Sequence, residues 1–154
     1  MSLIASSRQA SAWARWLCRA AKEPRTALAQ WSAGCTTPLT IGTAWDLVQL
    51  DFTLATAAVT LLKERNRPVG PYLMGGMEHA MWWLLPLGAG NGFRNVPRVA
   101  PRPKGAELFA PPPGTYTGDR AWVLPEWTGE GHRIPTAPDD LRGAVDHAAR
   151  LMAR

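Results

Sequence analysis

Proline and glycine set the length of every regular element this chain can form. There are 14 of each among 154 residues, concentrated in the middle of the chain. Proline removes a backbone donor and glycine favours turns, so the chain is cut into short segments joined by irregular loops. The longest apolar run, Ala80 to Leu85, has the length of a strand. It falls far short of the ~20 residues that span a bilayer. With 46% hydrophobic and 19% charged residues the composition is globular, sufficient for one core and too short for two comfortable domains. These limits predict a single α+β domain, a small and mostly antiparallel sheet with flanking helices.

The apolar pattern places the elements. Trp13, Trp16, Leu17 and Ala20 recur at helical spacing over residues 7–22, with Arg8, Arg15, Arg19 and Lys22 opposite them and Pro24 closing the segment. Residues 25–44 are turn-rich. Trp45 to Asp51 reads as a strand. A helix follows over 54–65, with Leu54, Ala58, Leu61 and Leu62 on its apolar face and Thr53 as its cap. Tyr72 to Gly76 and His79 to Leu85 read as two strands of a hairpin around Gly75-Gly76. Residues 88–104 read as loop, and 106–110 and 121–124 as short strands. The last element is a helix over about 137–153, with Thr136 and Asp139 spaced as a capping box and Leu141, Val145, Ala148 and Met152 along one face.

The formal charge is +5, carried mainly by arginine. Arginine's planar fork of donors suits phosphate and carboxylate, so the partners this balance favours are nucleic acid, nucleotides or an acidic protein surface. Two groups are the candidate nucleic-acid contacts: Arg8, Arg15, Arg19 and Lys22 on the first helix, and Arg94, Arg98, Arg102 and Lys104 in the long loop. Eight tryptophans are more aromatic bulk than a core this small is expected to hold. Trp122 and Trp127, near the proline-rich turn, are the expected exposed pair and the candidate surface for a protein partner or a second copy of the chain.

Cys18 and Cys35 are two scattered thiols, and Arg8, Arg15 and Arg19 interrupt every candidate signal-peptide run. Both features point to the reducing cytoplasm and away from a membrane. Neither the cysteines nor His79, His132 and His147 have metal-ligand spacing. The chain carries no Gly-x-Ser-x-Gly elbow and no Walker-type phosphate loop.

Three motifs remain, and their order matters more than any one of them. Val48-Gln-Leu-Asp51-Phe-Thr53 ends the first strand. Gly75-Gly76-Met-Glu-His79-Ala-Met-Trp82 opens the apolar strand, and Arg102-Pro-Lys-Gly105 leads to Pro111-Pro112-Pro113. Over roughly residues 38–125 this order resembles the bifunctional DNA primase/polymerase domain, of the archaeo-eukaryotic primase type. Such domains carry a strand ending in Asp-x-Asp, then a Gly-Gly-x-His-aromatic strand, then a third acid shortly before a Gly and a Pro-Pro-Ser turn.

The resemblance implies a primase–polymerase-like core, with Asp51 and His79 as vestiges of a catalytic site and His79 as a contact to nucleotide phosphate. Nucleotidyl transfer needs carboxylates that hold divalent cations against the triphosphate. Here Thr53 stands at the second acidic position and the third falls near Ala100. The nearest substitutes are Glu107 and Asp46, and Asp46 lies at an odd separation from Asp51, which puts the two on opposite faces of a strand. The expected function is therefore that of a non-catalytic primase–polymerase-like protein without a cofactor. It would bind DNA, nucleotide or a protein partner, in regulation or in plasmid or phage biology. Two alternatives stay open: a residual nucleotidyltransferase with Mg²⁺ or Mn²⁺ at an atypical site, and a structural interaction module.

Overall fold

The computed structural model describes residues 7–115, 118–127 and 135–153. In chain order the elements are α1 (Ser7–Cys18), α2 (Pro24–Ser32), β1 (Thr37–Thr40), β2 (Asp46–Asp51), α3 (Phe52–Glu64), β3 (Tyr72–Gly75), β4 (Ala80–Leu85), a short 3₁₀ helix (Ala89–Phe93), β5 (Val99–Pro101), β6 (Glu107–Ala110), β7 (Arg120–Val123) and α4 (Pro138–Met152). Five strands form one sheet in the order β5-β2-β4-β3-β7, and β1 pairs with β6 in a second sheet of two. Every pairing is antiparallel. The α+β class and the small antiparallel sheet are as the sequence predicts.

β4 lies at the centre of the larger sheet and is buried along its whole length. Successive side chains of a strand face opposite sides, so its unbroken apolar run serves two cores. Ala80, Trp82 and Leu84 join Leu47, Leu73 and Trp122 beneath α1, α2 and the two-stranded sheet. Met81, Trp83 and Leu85 join Val48, Leu50 and Val123 beneath α3 and α4. The register aligns Asp46 with Leu85 and Asp51 with Ala80, so β2 and β4 pair as the sequence requires.

Two apolar clusters in place of one explain where the tryptophans go. Trp13, Trp31, Trp45, Trp82, Trp83 and Trp122 are all buried. This corrects the expectation that Trp122 is exposed: it is 1% exposed, and its indole N–H donates to the Pro111 carbonyl at 2.9 Å. Trp127 is half-buried, packed edge-on to Trp13 with ring centroids 4.9 Å apart. A sheet covered on both faces has room that a one-sided core lacks.

Other departures have local causes. The first helix stops at Cys18, and Pro24 opens α2 instead of only closing what precedes it. A first-turn proline loses no hydrogen bond, because that N–H has no partner inside the helix. Residues 25–44 therefore hold a helix and a strand, where the composition suggests only turns. Residues 88–104 hold the 3₁₀ helix and β5, a strand too short for periodicity to show. Asp51, not Thr53, caps α3 by accepting the Leu54 N–H at 2.9 Å. Thr136 does not cap α4. Its hydroxyl is buried and accepts both the Gly70 N–H and the Trp83 indole N–H, at 2.8 Å each. Among the described residues no helix is long and apolar enough to cross a membrane. His132 lies outside the described residues.

Candidate functional site

Asp51 is the last residue of β2, and the chain turns into α3 directly after it. Arg98 grips its carboxylate with two parallel hydrogen bonds, Nε to Oδ2 at 2.8 Å and Nη2 to Oδ1 at 2.9 Å. Such bidentate pairs are the strong form of a charge-assisted hydrogen bond. Burial pushes the Asp51 carboxyl up, but the hydrogen bond from Arg98, the Leu54 N–H, the Arg98 charge and the Thr53 N–H together hold it below its ordinary value.

Beside this pair lies a cleft of about 430 Å³ lined by Gln49, Asp51, Glu78, His79, Arg98 and Ala100, among others. His79 closes the β3–β4 loop. Its carbonyl accepts the Phe52 N–H at 2.7 Å, and its φ of +51° is left-handed. Arg98 is left-handed too, with φ +68°. Asn66, the third such residue, is at φ +55° just past the C-terminal cap of α3, an ordinary place for it. Side chains held in this region store strain and cluster at functional sites.

The register shows which positions share the cleft. Gln49 and Asp51 are two apart on β2 and point to one face, and Ala100 of β5 is the cross-strand partner of Gln49. Thr53 sits in the first turn of α3, off the strand. That face presents an amide, one carboxylate and a methyl group, and Thr53, the second acidic position that the resemblance implies, does not lie on it. The Gln49 amide oxygen already accepts the Trp82 indole N–H at 3.0 Å. Glu78 pairs with Arg120 at 3.4 Å, and Arg120 lies 4.6 Å above the Trp82 ring. This donor set does not fit Mg²⁺ or Mn²⁺, which need several free hard oxygens. Among the described residues no group of three His, Cys, Asp or Glu is placed to hold a metal.

Gly75-Gly76 forms the hairpin turn and not a phosphate cradle. A Cβ on Gly75 would meet the Trp82 ring. Three N–H groups of the loop are already taken: Gly76 donates to the Asp119 carbonyl at 3.0 Å, Met77 to the Asp119 carboxylate at 2.5 Å, and His79 to the Gly76 carbonyl at 3.2 Å.

At the other end of β2 the charges are arranged differently. Asp46 is 7% exposed and accepts the Gly90 N–H at 2.9 Å through Oδ2. A Cβ at Gly90 would lie 3.1 Å from that same oxygen, so a larger residue there would press on the carboxylate. Asp46 forms one wall of a cleft of about 440 Å³ that is also lined by Asn91, Arg94, Arg102 and Lys104. The three cations are exposed. None of the ion pairs among the described residues includes them. β5 itself runs between Arg98 and Arg102, and the Arg102 N–H donates to the Leu47 carbonyl at 2.8 Å. The structure thus brings Arg94, Arg102 and Lys104 together along one sheet edge and commits Arg98 to Asp51.

The other candidate basic residues stand apart from both clefts, and only Arg8 and Arg15 of them lie on α1; Arg19 and Lys22 fall past its end at Cys18. Arg8, Arg15, Arg19 and Lys22 are exposed. Arg19 lies 5.1 Å over the Trp16 ring, and Arg15 borders a groove with Leu28, Trp31, Pro112 and Pro113. The sequence reading did not single out Gln49, Asn91 or Arg120. The i, i+2 spacing of Gln49 from Asp51 was the available signal for the first, and the other two become neighbours only through tertiary structure. No family model, curated protein or solved structure matches the chain.

Proposed function

We propose that the chain is a non-catalytic primase–polymerase-like domain that binds nucleic acid along the basic edge of its five-stranded sheet. The observation that carries this reading is the group Arg94, Arg102 and Lys104, exposed around one cleft with no acid among the described residues paired to any of them. Unpaired cations gathered on one edge are the electrostatic footprint that phosphates neutralise.

Loss of catalysis is supported by the Asp51 end. Of the three acidic positions the resemblance implies, Asp51 ends β2 beside the hairpin that carries His79, Thr53 lies in the first turn of α3, and Ala100 is on β5. Two of those positions lack an acid, and Arg98 occupies the third. Cys18 and Cys35 are both free, which supports a reducing, cytoplasmic setting.

The test is binding of fluorescent single- and double-stranded DNA across a salt series. Affinity falls linearly on logarithmic axes, with a slope of about 0.7 per phosphate contact on single strands and about 0.9 on duplex. The combined variant Arg94→Ala, Arg102→Ala, Lys104→Ala flattens that slope by about 2 units on single strands. Its substitutions are all on the surface and leave the core intact. Absence of binding at low salt, or an unchanged slope in the variant, refutes the reading.

A further inference from the structure

We propose that the cleft at the Asp46 end of β2 is a nucleoside-phosphate site: Arg94, Arg102 and Lys104 hold the phosphate, and Asp46 accepts a hydrogen bond from a sugar hydroxyl or base amino group. The proposal shares its cations with the nucleic-acid reading and rests on it to that extent. Asp46 takes it further.

A surface that only collects phosphates has no use for a carboxylate in its wall, because the acid repels the ligand. Asp46 is nonetheless more than nine-tenths buried and forms no ion pair among the described residues. A buried carboxylate is costly unless its oxygens are satisfied. Only one is: Oδ2 takes the Gly90 N–H, and Oδ1 is enclosed with no hydrogen-bond partner. A carboxylate has lone pairs for about four hydrogen bonds; Oδ2 carries one, so it keeps acceptor capacity, and Asp46 is part of the cleft's lining.

The cleft therefore joins two kinds of group, cations for an anion and a fixed acceptor for a donor. A ligand that answers both carries a phosphate at one end and hydroxyl or amino groups at the other, as a nucleotide does. Bare phosphate or a sulfate answers only the first. The volume of about 440 Å³ lies within the 300–1,000 Å³ usual for small-molecule sites. Asn91 adds a carboxamide with both donor and acceptor. This cleft is at the opposite end of β2 from Asp51.

A free nucleotide and the 5′-phosphorylated end of a strand offer the same chemistry, and the experiment separates them. Calorimetric titration of the whole chain uses inorganic phosphate, a nucleoside, its 5′-monophosphate, and one oligonucleotide with and without a 5′-phosphate. The monophosphate is expected to bind at least ~10-fold tighter than either inorganic phosphate or the nucleoside. Asp46→Asn, which keeps an oxygen for the Gly90 N–H but replaces the charged acceptor with a neutral one, removes that advantage and leaves inorganic phosphate bound as well or better. Preference for the phosphorylated oligonucleotide over the free monophosphate identifies a strand end as the ligand; the reverse order identifies a free nucleotide.

A monophosphate that binds native protein no better than inorganic phosphate overturns the proposal, and this comparison needs no variant. So does an Asp46→Asn protein that binds both more tightly by the same factor. Salt-dependent DNA binding that is indifferent to Asp46→Asn and to the monophosphate sinks this site and leaves the nucleic-acid reading standing. Monophosphate binding that is lost in Asp46→Asn, with no DNA binding at any salt, does the opposite.

Discussion

The two ends of β2 carry the same kinds of residue in opposite states. At the Asp51 end each charged group has a partner: Arg98 holds Asp51, and Arg120 holds Glu78 while stacking on Trp82. At the Asp46 end the acid is buried on one hydrogen bond, and three exposed cations line the cleft with no ion pair among the described residues. The difference teaches that the residue most readable as chemistry, Asp51, is the one the fold has neutralised. Its carboxylate caps a helix and anchors an edge strand. Three cations that remain without an acid among the described residues lie instead at the Asp46 end.

The sharpest way to break this comparison is to build acids onto the Asp51 face. Gln49→Asp and Ala100→Asp would set three carboxylates on one face, and Arg98→Gly would release Asp51 without leaving a side chain at φ +68°. The combined variant is expected to gain saturable Mn²⁺ binding, at least ~10-fold tighter than native protein, because three hard oxygen ligands replace one. Titration followed by the paramagnetic effect of Mn²⁺ on water relaxation reads it directly. A variant that stays folded and gains nothing refutes the reading of this face as a vestigial metal site. Native protein that binds Mn²⁺ at micromolar concentration, and loses it in Asp51→Ala, would restore the enzyme reading.

How much of this the sequence displayed depended on the range of the interaction. β2, β4 and the hairpin at Gly75-Gly76 were legible because each is a contiguous run with a local signal. The opposite facing of Asp46 and Asp51 followed from strand period alone. α2 was hidden because Pro24 reads equally as a stop and a start. β5 was hidden because three residues, Val99 to Pro101, carry no period. The Arg98–Asp51 pair spans 47 positions and exists only because β5 lies beside β2. Thr136 was misread for the same reason: its spacing from Asp139 suggests a cap, but distant Gly70 and Trp83 claim the hydroxyl.

A smaller effect separates the two roles of Asp51. Asp51→Ala removes both the α3 cap and the partner of Arg98. A cap is worth about 1 kcal/mol, and a half-exposed ion pair about 0–1, so a loss of about 1–2 kcal/mol is expected in urea unfolding at neutral pH. Asp51→Asn keeps a good cap and loses only the charge, and should cost less than half as much. The two also differ in acid. The folded carboxyl titrates below its ordinary 3.8, so its contribution is fully present above that value and disappears as pH falls through the lowered folded value. The gap between native and Asp51→Asn protein should therefore close below about pH 3.8. A gap that persists there would mean that Arg98 is held by something other than this charge.

The smallest effect concerns His79, whose left-handed backbone is a cost without a visible return. The ring is exposed and makes no hydrogen bond among the described residues, while the backbone holds φ at +51° to bring its carbonyl to Phe52. Glycine adopts that conformation without strain but adds freedom to the unfolded chain, and the two effects partly cancel. His79→Gly is expected to stabilise the protein by no more than about 1 kcal/mol. Arg98→Gly relieves similar strain but gives up the pair with Asp51, so it should be neutral or destabilising. DNA binding then decides what the histidine is for. If His79→Gly raises stability and leaves affinity and salt slope unchanged, the ring is a remnant and all binding belongs to the Asp46 end. If affinity drops while stability rises, His79 touches phosphate, as the resemblance to primase–polymerase domains implies. The Asp51 end would then be a second binding surface, and the contrast between the two ends would be one of degree.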